Sequence, residues 1–319
     1  MQENVNFPNE NCDSDINYRL TTIPSAQMDS HISERNMTRL ITGTLLVLWT
    51  ASLFGQTETT QPTPSPATEK TVAAESPKIA VLTALDAKQN EHPLVPVLQW
   101  AKTGRPKIAE LKDYTALISK QETVNGEKQA AQTMEMKLRH EPFSVYLKFR
   151  WPRELAGQEV IYIKGKNNDN IAAHGVGFQK NFGTVNLDPN SFIAMRGNKY
   201  PITEIGLLNL VDKLVEVGEK DIKYGECSVN YYEGIKSEGR DCTMIEVIHP
   251  VPRKQFIFYV ARILVDNEYN VPVRYESYEW PTEKDNEPPL IEIYTYQKLR
   301  LNVGLTDEDF DTKNPKYNF

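Results

Sequence analysis

The stretch DYTALISKQETVNGEKQAAQTMEMKLRHEPFSVYLKFRWP, residues 113–152, decides the fold. Asn125-Gly126 falls between two runs of strand-forming residues. An Asn-Gly pair readily takes the positive φ angles of a type I′ turn, so the segment predicts a hairpin of residues 114–124 against 127–139. On the return, Met134, Met136 and Leu138 alternate with Thr133, Glu135, Lys137 and Arg139, the period of a sheet with one buried face. After Glu141-Pro142 the alternation resumes, with Phe143, Val145, Leu147, Phe149 and Trp151 on one side and Ser144, Tyr146, Lys148 and Arg150 on the other. One face of this sheet is broad and apolar, and another part of the chain must cover it.

Downstream, residues 159–164 and 171–174 read as strands joined by the turn-forming run Asn167-Asn168-Asp169-Asn170. Residues 175–199 are rich in Gly and Asn and carry no period. Over residues 202–217 the period becomes helical: Ile202, Ile205, Leu208, Val211 and Val215 form a stripe that Leu207, Leu210 and Leu214 widen. Strands follow at 222–232 and 240–249, at 255–265 and 271–280, and at 290–301. Upstream, residues 94–111 have helical spacing with a kink expected at Gly104-Arg105-Pro106, and Ile79, Leu82 and Leu85 begin a shorter helical segment. The pattern predicts one α+β domain over residues 79–319, a strongly curved antiparallel sheet (a half-barrel) wrapped around helices that include 202–217.

The N-terminal part has a different character. Residues 1–36 are polar and patternless, an extension expected to precede the true start at Met37. Arg39 is followed by an uncharged, mostly apolar run from Leu40 to Phe54 and then by Gly55, the parts of a secretory signal peptide over residues 37–55. The competing reading is an uncleaved membrane anchor, but the run falls short of the roughly 20 residues that span a bilayer. Residues 56–78 are rich in Thr, Pro and Glu and predict a disordered linker. Cleavage near Gly55 makes the mature protein secreted or periplasmic, with no transmembrane segment. The formal charge of −7 gives no reason to expect nucleic acid or an anionic membrane surface as partner. Cleavage also removes Cys12 and leaves Cys227 and Cys242, placed nearly opposite across the hairpin of 222–232 and 240–249, so a cross-strand disulfide is expected; buried free thiols are the alternative.

No nucleophile elbow, zinc-protease helix, Walker loop or dinucleotide fingerprint is present. The five histidines are dispersed; His174 reads as an ordinary strand-end imidazole, and Asp307, Glu308, Asp309 and Asp311 as a solvated helix start. No catalytic residue, metal ligand or cofactor is therefore assigned. The informative feature is the apolar face. Met134, Met136, Phe143, Val145, Leu147 and Phe149, facing Leu207, Leu210 and Leu214, are the candidate lining of an apolar cavity, since Met and aromatic side chains adapt to irregular apolar ligands. The competing reading is that they pack as plain core.

Asp113-Tyr114-Thr115, Lys120-Gln121-Glu122, Asn125-Gly126, the run from Pro142 to Phe149, Tyr200-Pro201-Ile202 and the run from Asn314 to Phe319 resemble a bacterial domain family of unknown function, over residues 92–319. More distantly, the layout resembles the periplasmic lipoprotein carriers (LolA/LolB-like): an N-terminal helix, strands ending in a group like Leu147-Lys148-Phe149-Arg150-Trp151-Pro152, a central helix, then Ile263-Leu264-Val265-Asp266 returning through Val271-Pro272-Val273-Arg274. That resemblance implies a half-barrel closed by helices around a cavity for acyl chains; the carriers' gating Arg has no matching position here. The expectation is a non-enzymatic secreted or periplasmic protein that binds lipid or lipoprotein acyl chains. An envelope structural or protein-interaction module is the alternative, and an enzyme the third.

Overall fold

A computed structural model describes residues 91–282 and 287–319. The expected extension, signal peptide, linker and the helical segment from Ile79 lie outside the described residues. Helix α1 (Leu94–Ala109) leads into the hairpin β1 (Asp113–Val124), β2 (Glu127–Lys128) and β3 (Gln132–Arg139), followed by β4 (Ser144–Trp151), β5 (Glu159–Ile163), β6 (Ile171–His174) and β7 (Thr184–Leu187). The short α2 (Phe192–Met195) and the long α3 (Leu207–Asp221) come next. Then come β8 (Ser228–Ser237), β9 (Arg240–Ile248), β10 (Val260–Asp266), β11 (Val271–Tyr278) and β12 (Leu290–Leu301). The twelve strands make one sheet in the order β7-β6-β5-β4-β3-β1-β12-β11-β10-β9-β8, with β2 paired to the end of β1. Every pairing is antiparallel. The architecture is the expected α+β one.

The turn is made as its residues dictate: Asn125 has φ 53° and Gly126 φ 80°. Met134, Met136 and Leu138 of β3, with Val145, Leu147 and Phe149 of β4, all point to one face and join a single core cluster with Leu207 and Val211 of α3. That cluster reaches from Ile171 on β6 to Met244 on β9. Laid flat, those strands would stand about 38 Å apart at ~4.8 Å per strand. Helix α3 is only about 22 Å long, so the sheet curls around it. Helix α1 packs on α3 where Gly218 lets Leu98 approach: a Cβ at Gly218 would lie 2.7 Å from Leu98 Cδ2.

Several expectations change in detail. Trp151 does not continue the apolar face. A register shift between Thr133 and Met134 turns it outward, and it is exposed. Pro106 sits inside a continuous α1 rather than breaking it. The helix expected over 202–217 divides into a 3-10 turn, Ile202–Glu204, and α3, because Gly206 at φ 121° and ψ 161° interrupts it. The strand expected from 255 begins at Val260, and Phe256 and Phe258 before it fill the core from a loop.

The opposite face of the sheet is not simply solvated. Ser144 and Tyr146 are buried there, because the C-terminal segment crosses β4 and β5. Asp113 turns the chain onto that face, its carboxylate accepting from the backbone N–H of Gly304 and Leu305, each at 3.0 Å. Phe310, Tyr317 and Phe319 then join Tyr146 and Ile161 in a second apolar cluster, with Tyr317 stacked on Tyr146 at 4.2 Å between centroids. The buried Glu159 accepts from Asn318 N at 2.9 Å and pairs with Lys148 at 2.8 Å.

The disulfide expectation is overturned, and both cysteines are free. Strand β8 runs to Ser237 and turns at Glu238-Gly239, so Cys242 lies opposite Ile235, while Cys227 precedes the far end of the strand, where Ser228 pairs with Ile248. Some seven residues of strand, about 23 Å, separate the two sites, against the ~7 Å limit between Cα atoms that a disulfide allows. Burial pushes the Cys227 thiol up to about 12 and the Cys242 thiol up to about 11, so both stay protonated at neutral pH. Thiol labelling of unreduced protein is expected to find both once the chain is denatured, and Cys242 protected while it is folded. Failure to label either in the denatured chain would restore the disulfide.

Candidate functional site

Between the helices and the inner face of the sheet lies a cavity of about 1220 Å³. Met134, Leu147 and Phe149 form part of its floor, continued by Val160, Ile171 and Ala173 of β5 and β6. Leu210 and Leu214 of α3 and Val97 and Leu98 of α1 form its roof, and Ile245 and Ile263 close the far side. Five of the nine candidate lining residues thus border open space: Met134, Leu147, Phe149, Leu210 and Leu214. Met136, Val145 and Leu207 are buried in the adjoining core instead, and Phe143 packs against it.

The division follows from where α3 begins. Tyr114 Oη accepts from the Leu207 backbone N–H at 2.8 Å, and Gly206 sits against Leu138. The first turn of α3 therefore plugs the end of the sheet where Tyr114, Leu138 and Val145 lie, and the space opens toward the other ends of β3 and β4. The rim comes from the segment that had no readable period. Gln179, Phe182, Val185 and Ile193 border the cavity, Ile193 being 67% exposed; Phe178, whose ring meets Phe182 at 5.5 Å, and Phe192, next to Ile193 in the chain, are 77% and 85% exposed. The sequence signal there was a scatter of apolar residues, among them Phe178, Phe182, Phe192, Val185, Leu187 and Ile193, with no strand or helix period in a Gly- and Asn-rich stretch.

One end of the cavity is polar, and the sequence reading missed it. Glu122 of β1 pairs directly with Glu292 of β12, and both carboxylates are on the cavity side, 3% and 5% exposed. Tyr294 Oη donates to Glu122 Oε1 and lies 3.5 Å from Glu292 Oε2. Lys120 Nζ donates to Glu122 at 3.0 Å and to Asn198 Oδ1 at 2.6 Å. Lys199 Nζ lies 3.2 Å from Glu292, and Tyr200 Oη donates to Glu292 at 3.3 Å. Burial raises the Glu292 carboxyl, with Lys199 opposing and Glu122 adding to the shift. Burial and the two carboxylates hold the Tyr294 phenol far above its usual range. The signal that was available is one of phase: Glu122 follows Ala116, Ile118 and Lys120 at every second residue, and Glu292 precedes Tyr294 and Tyr296 in the same way, so both place a charge on the inward side.

Residues 111–319 match the model of a family described as "Protein of unknown function (DUF1571)". The chain belongs to that family. No curated protein matches it. Among solved structures it is similar to a DUF1329 family protein from Desulfovibrio piger, at 14% identity over 69% of this chain and 98% of that one, TM-score 0.32. It is similar to the lipoprotein LppX of Mycobacterium tuberculosis, at 15% over 68% and 100%, TM-score 0.37. A LolA superfamily protein from Nitrosomonas europaea matches at 9% over 66% and 97%, TM-score 0.26.

The cavity of the DUF1571 domain is also bordered by a buried acid. Asp221, the last residue of α3, holds Oδ2 3.5 Å from Nε2 of His249, and both side chains are buried. Burial pushes Asp221 up to about 6 and holds the His249 imidazole below its ordinary value. A raised carboxyl contributes stability that is complete below its unfolded value of about 3.9 and is lost as pH rises through 6. The depressed His249 acts oppositely: its contribution is present above about 6.5 and is lost as pH falls. Asp221→Asn removes only the first effect. The stability of the wild type relative to this variant is expected to fall by up to about 3 kcal/mol between pH 4 and pH 7. Urea unfolding of both proteins at several pH values measures it, and a difference independent of pH would refute the assignment.

Among the described residues of the DUF1571 domain, no group of His, Cys, Asp and Glu is arranged to hold a metal, and no helix is long and apolar enough to cross a membrane. His174 ends β6 as a buried imidazole beside Glu159 on the neighbouring strand, away from the cavity. Asp307 and Asp309, read as a solvated helix start, form a 3-10 turn and pair with Arg139 and Lys137, each at 2.7 Å.

Proposed function

We propose that this protein is a non-enzymatic carrier or sensor in the cell envelope that holds the acyl chains of a lipid or lipoprotein in the cavity beneath α1 and α3. The observation that carries this reading is the cavity itself, whose volume of about 1220 Å³ has a predominantly apolar lining surface, with Leu, Ile, Val, Met and Phe side chains as its largest group. Ligand sites of drug size occupy about 300–1,000 Å³ and combine an apolar lining with a few polar groups. A core packed at ordinary density leaves no such space. Each methylene moved from water into such a lining contributes about 0.8 kcal/mol, enough for a long acyl chain to offset the cost of its immobilisation. Export follows from the apolar run between Arg39 and Gly55. N-terminal sequencing of the native protein tests it, and a mature chain that still contains Cys12 would refute it.

Native mass spectrometry with lipid extraction, on protein purified from its own host, tests the cargo. A co-purifying lipid is expected, and Ala173→Trp, which fills the floor of the cavity without introducing charge, is expected to reduce its occupancy at least tenfold with the fold retained. Protein that is empty and takes up neither fatty acids nor acylated peptides ends the carrier reading. In that case the domain is an envelope interaction module, a reading favoured by the exposed Phe178, Phe192 and Ile193 of the rim segment.

A further inference from the structure

The polar end of the cavity has a definite hydrogen-bonding balance. Two buried carboxylates, Glu122 and Glu292, are matched by two ammonium groups, Lys120 and Lys199, so this paired cluster carries no net charge of its own, while Arg196, two residues before Asn198, also borders the cavity. An anionic head group would lie against both carboxylates, and a cationic one would have to displace the lysines already paired to them. Beside Lys120 on the neighbouring strand stands Gln132, which also borders the cavity. Its Oε1 is buried and has no hydrogen-bond partner among the described residues. A buried acceptor left unpaired costs about 1–3 kcal/mol, and a ligand that brings a donor recovers that cost. The phenol oxygens of Tyr200 and Tyr294 spend their protons on the carboxylates and keep their acceptor capacity. An ionised carboxylate and a quaternary ammonium carry no donor at all; a hydroxyl both donates and accepts.

We infer that the Glu122–Glu292–Gln132 end of the cavity is a head-group site selective for an uncharged, hydroxyl-bearing polar head on an acyl or alkyl chain. The inference rests on the carrier reading and adds the chemistry of the head group to it. Glyceryl and glycosyl heads share this chemistry, and the test separates them.

The experiment compares four amphiphiles with twelve-carbon chains on the delipidated domain by titration calorimetry, below their micelle concentrations: 1-dodecanoylglycerol, dodecyl maltoside, dodecanoate and dodecyltrimethylammonium. At least one of the two hydroxyl-bearing compounds is expected to bind tenfold or more tightly than either ion, and the better of the two identifies the head as glyceryl or glycosyl. Glu292→Gln is expected to reduce that preference to less than threefold. Gln132→Met is the second variant. No hydrogen bond within the fold depends on its Oε1, so the variant is expected to fold and to lose affinity for the hydroxyl-bearing compound while keeping that for dodecanoate. Equal affinity for all four compounds overturns the head-group site and leaves the carrier standing. Tighter binding of either ion, or a preference unchanged in both variants, overturns the head-group site as well. Binding of none of the four overturns both.

Discussion

Gly206→Ala is expected to destabilise the domain by about 4 kcal/mol, taking ~1–3 for a backbone conformation that only Gly adopts freely and ~1–3 for overpacking. Gly206 stands at φ 121° and ψ 161°. A Cβ there would lie 2.9 Å from Leu138 Cδ1 and 2.9 Å from Tyr114 Oη. Neither neighbour can yield, because both are fully buried and Tyr114 also receives the Leu207 N–H that starts α3. The strain therefore falls on the first turn of the helix, and with it on the roof of the cavity. Gly225→Ala is the control, since a Cβ there meets open space. Urea unfolding of the two variants checks the prediction. A midpoint for Gly206→Ala within experimental error of the control would show that α3 can start elsewhere, and that its position is not set by Tyr114.

Phe310→Ala is expected to cost about 3–5 kcal/mol, the usual range for emptying a buried aromatic site. The side chain is 2% exposed, lies against Tyr146 and Ile161 on the outer face of the sheet, and carries the Arg139 guanidinium 4.9 Å from its ring centroid. It belongs to a short 3-10 turn held by the reciprocal Thr306–Asp309 cap. The ion pairs of Asp307 with Arg139 and of Asp309 with Lys137 also hold the turn, but Phe310 is its one buried side chain, and the cavity left behind is expected to loosen the segment through to Asn318, which satisfies the buried Glu159. Hydrogen exchange should therefore rise at Tyr317 and Asn318 in the variant while remaining slow in β1 and β3. A loss of less than 1 kcal/mol would mean that the C-terminal segment rests on the sheet without contributing to its stability.

These two sites mark where reading residue by residue stops. The hairpin at Asn125-Gly126, the inward phase of Met134 and Leu147, the short strand Ile171–His174 and the long strand Leu290–Leu301 were all legible, because turn chemistry and the two-residue alternation of a strand are local properties. Phase says which side of the sheet a residue faces, not what stands opposite it. Met134 and Met136 share a phase and differ in fate, because α3 begins above Leu138 and leaves the space over Met134 open. Tyr146 was placed on the polar face and is buried, since a segment more than 150 residues later in the chain covers it.

By itself, then, the sequence determined the α+β class, most of the strands and the apolar side of the sheet, through periodicities that span a few residues. It determined the cysteine content too, but not the register that holds Cys227 and Cys242 at opposite ends of a hairpin. Only the tertiary structure decided which apolar residues border a cavity, that the stretch from Gly175 to Lys199 supplies its rim, and that Glu122 and Glu292 meet at one end of it. The physical reason is the same in each case: pairing register and the placement of one helix are set by the summed packing of distant segments, and no short run of residues records that sum.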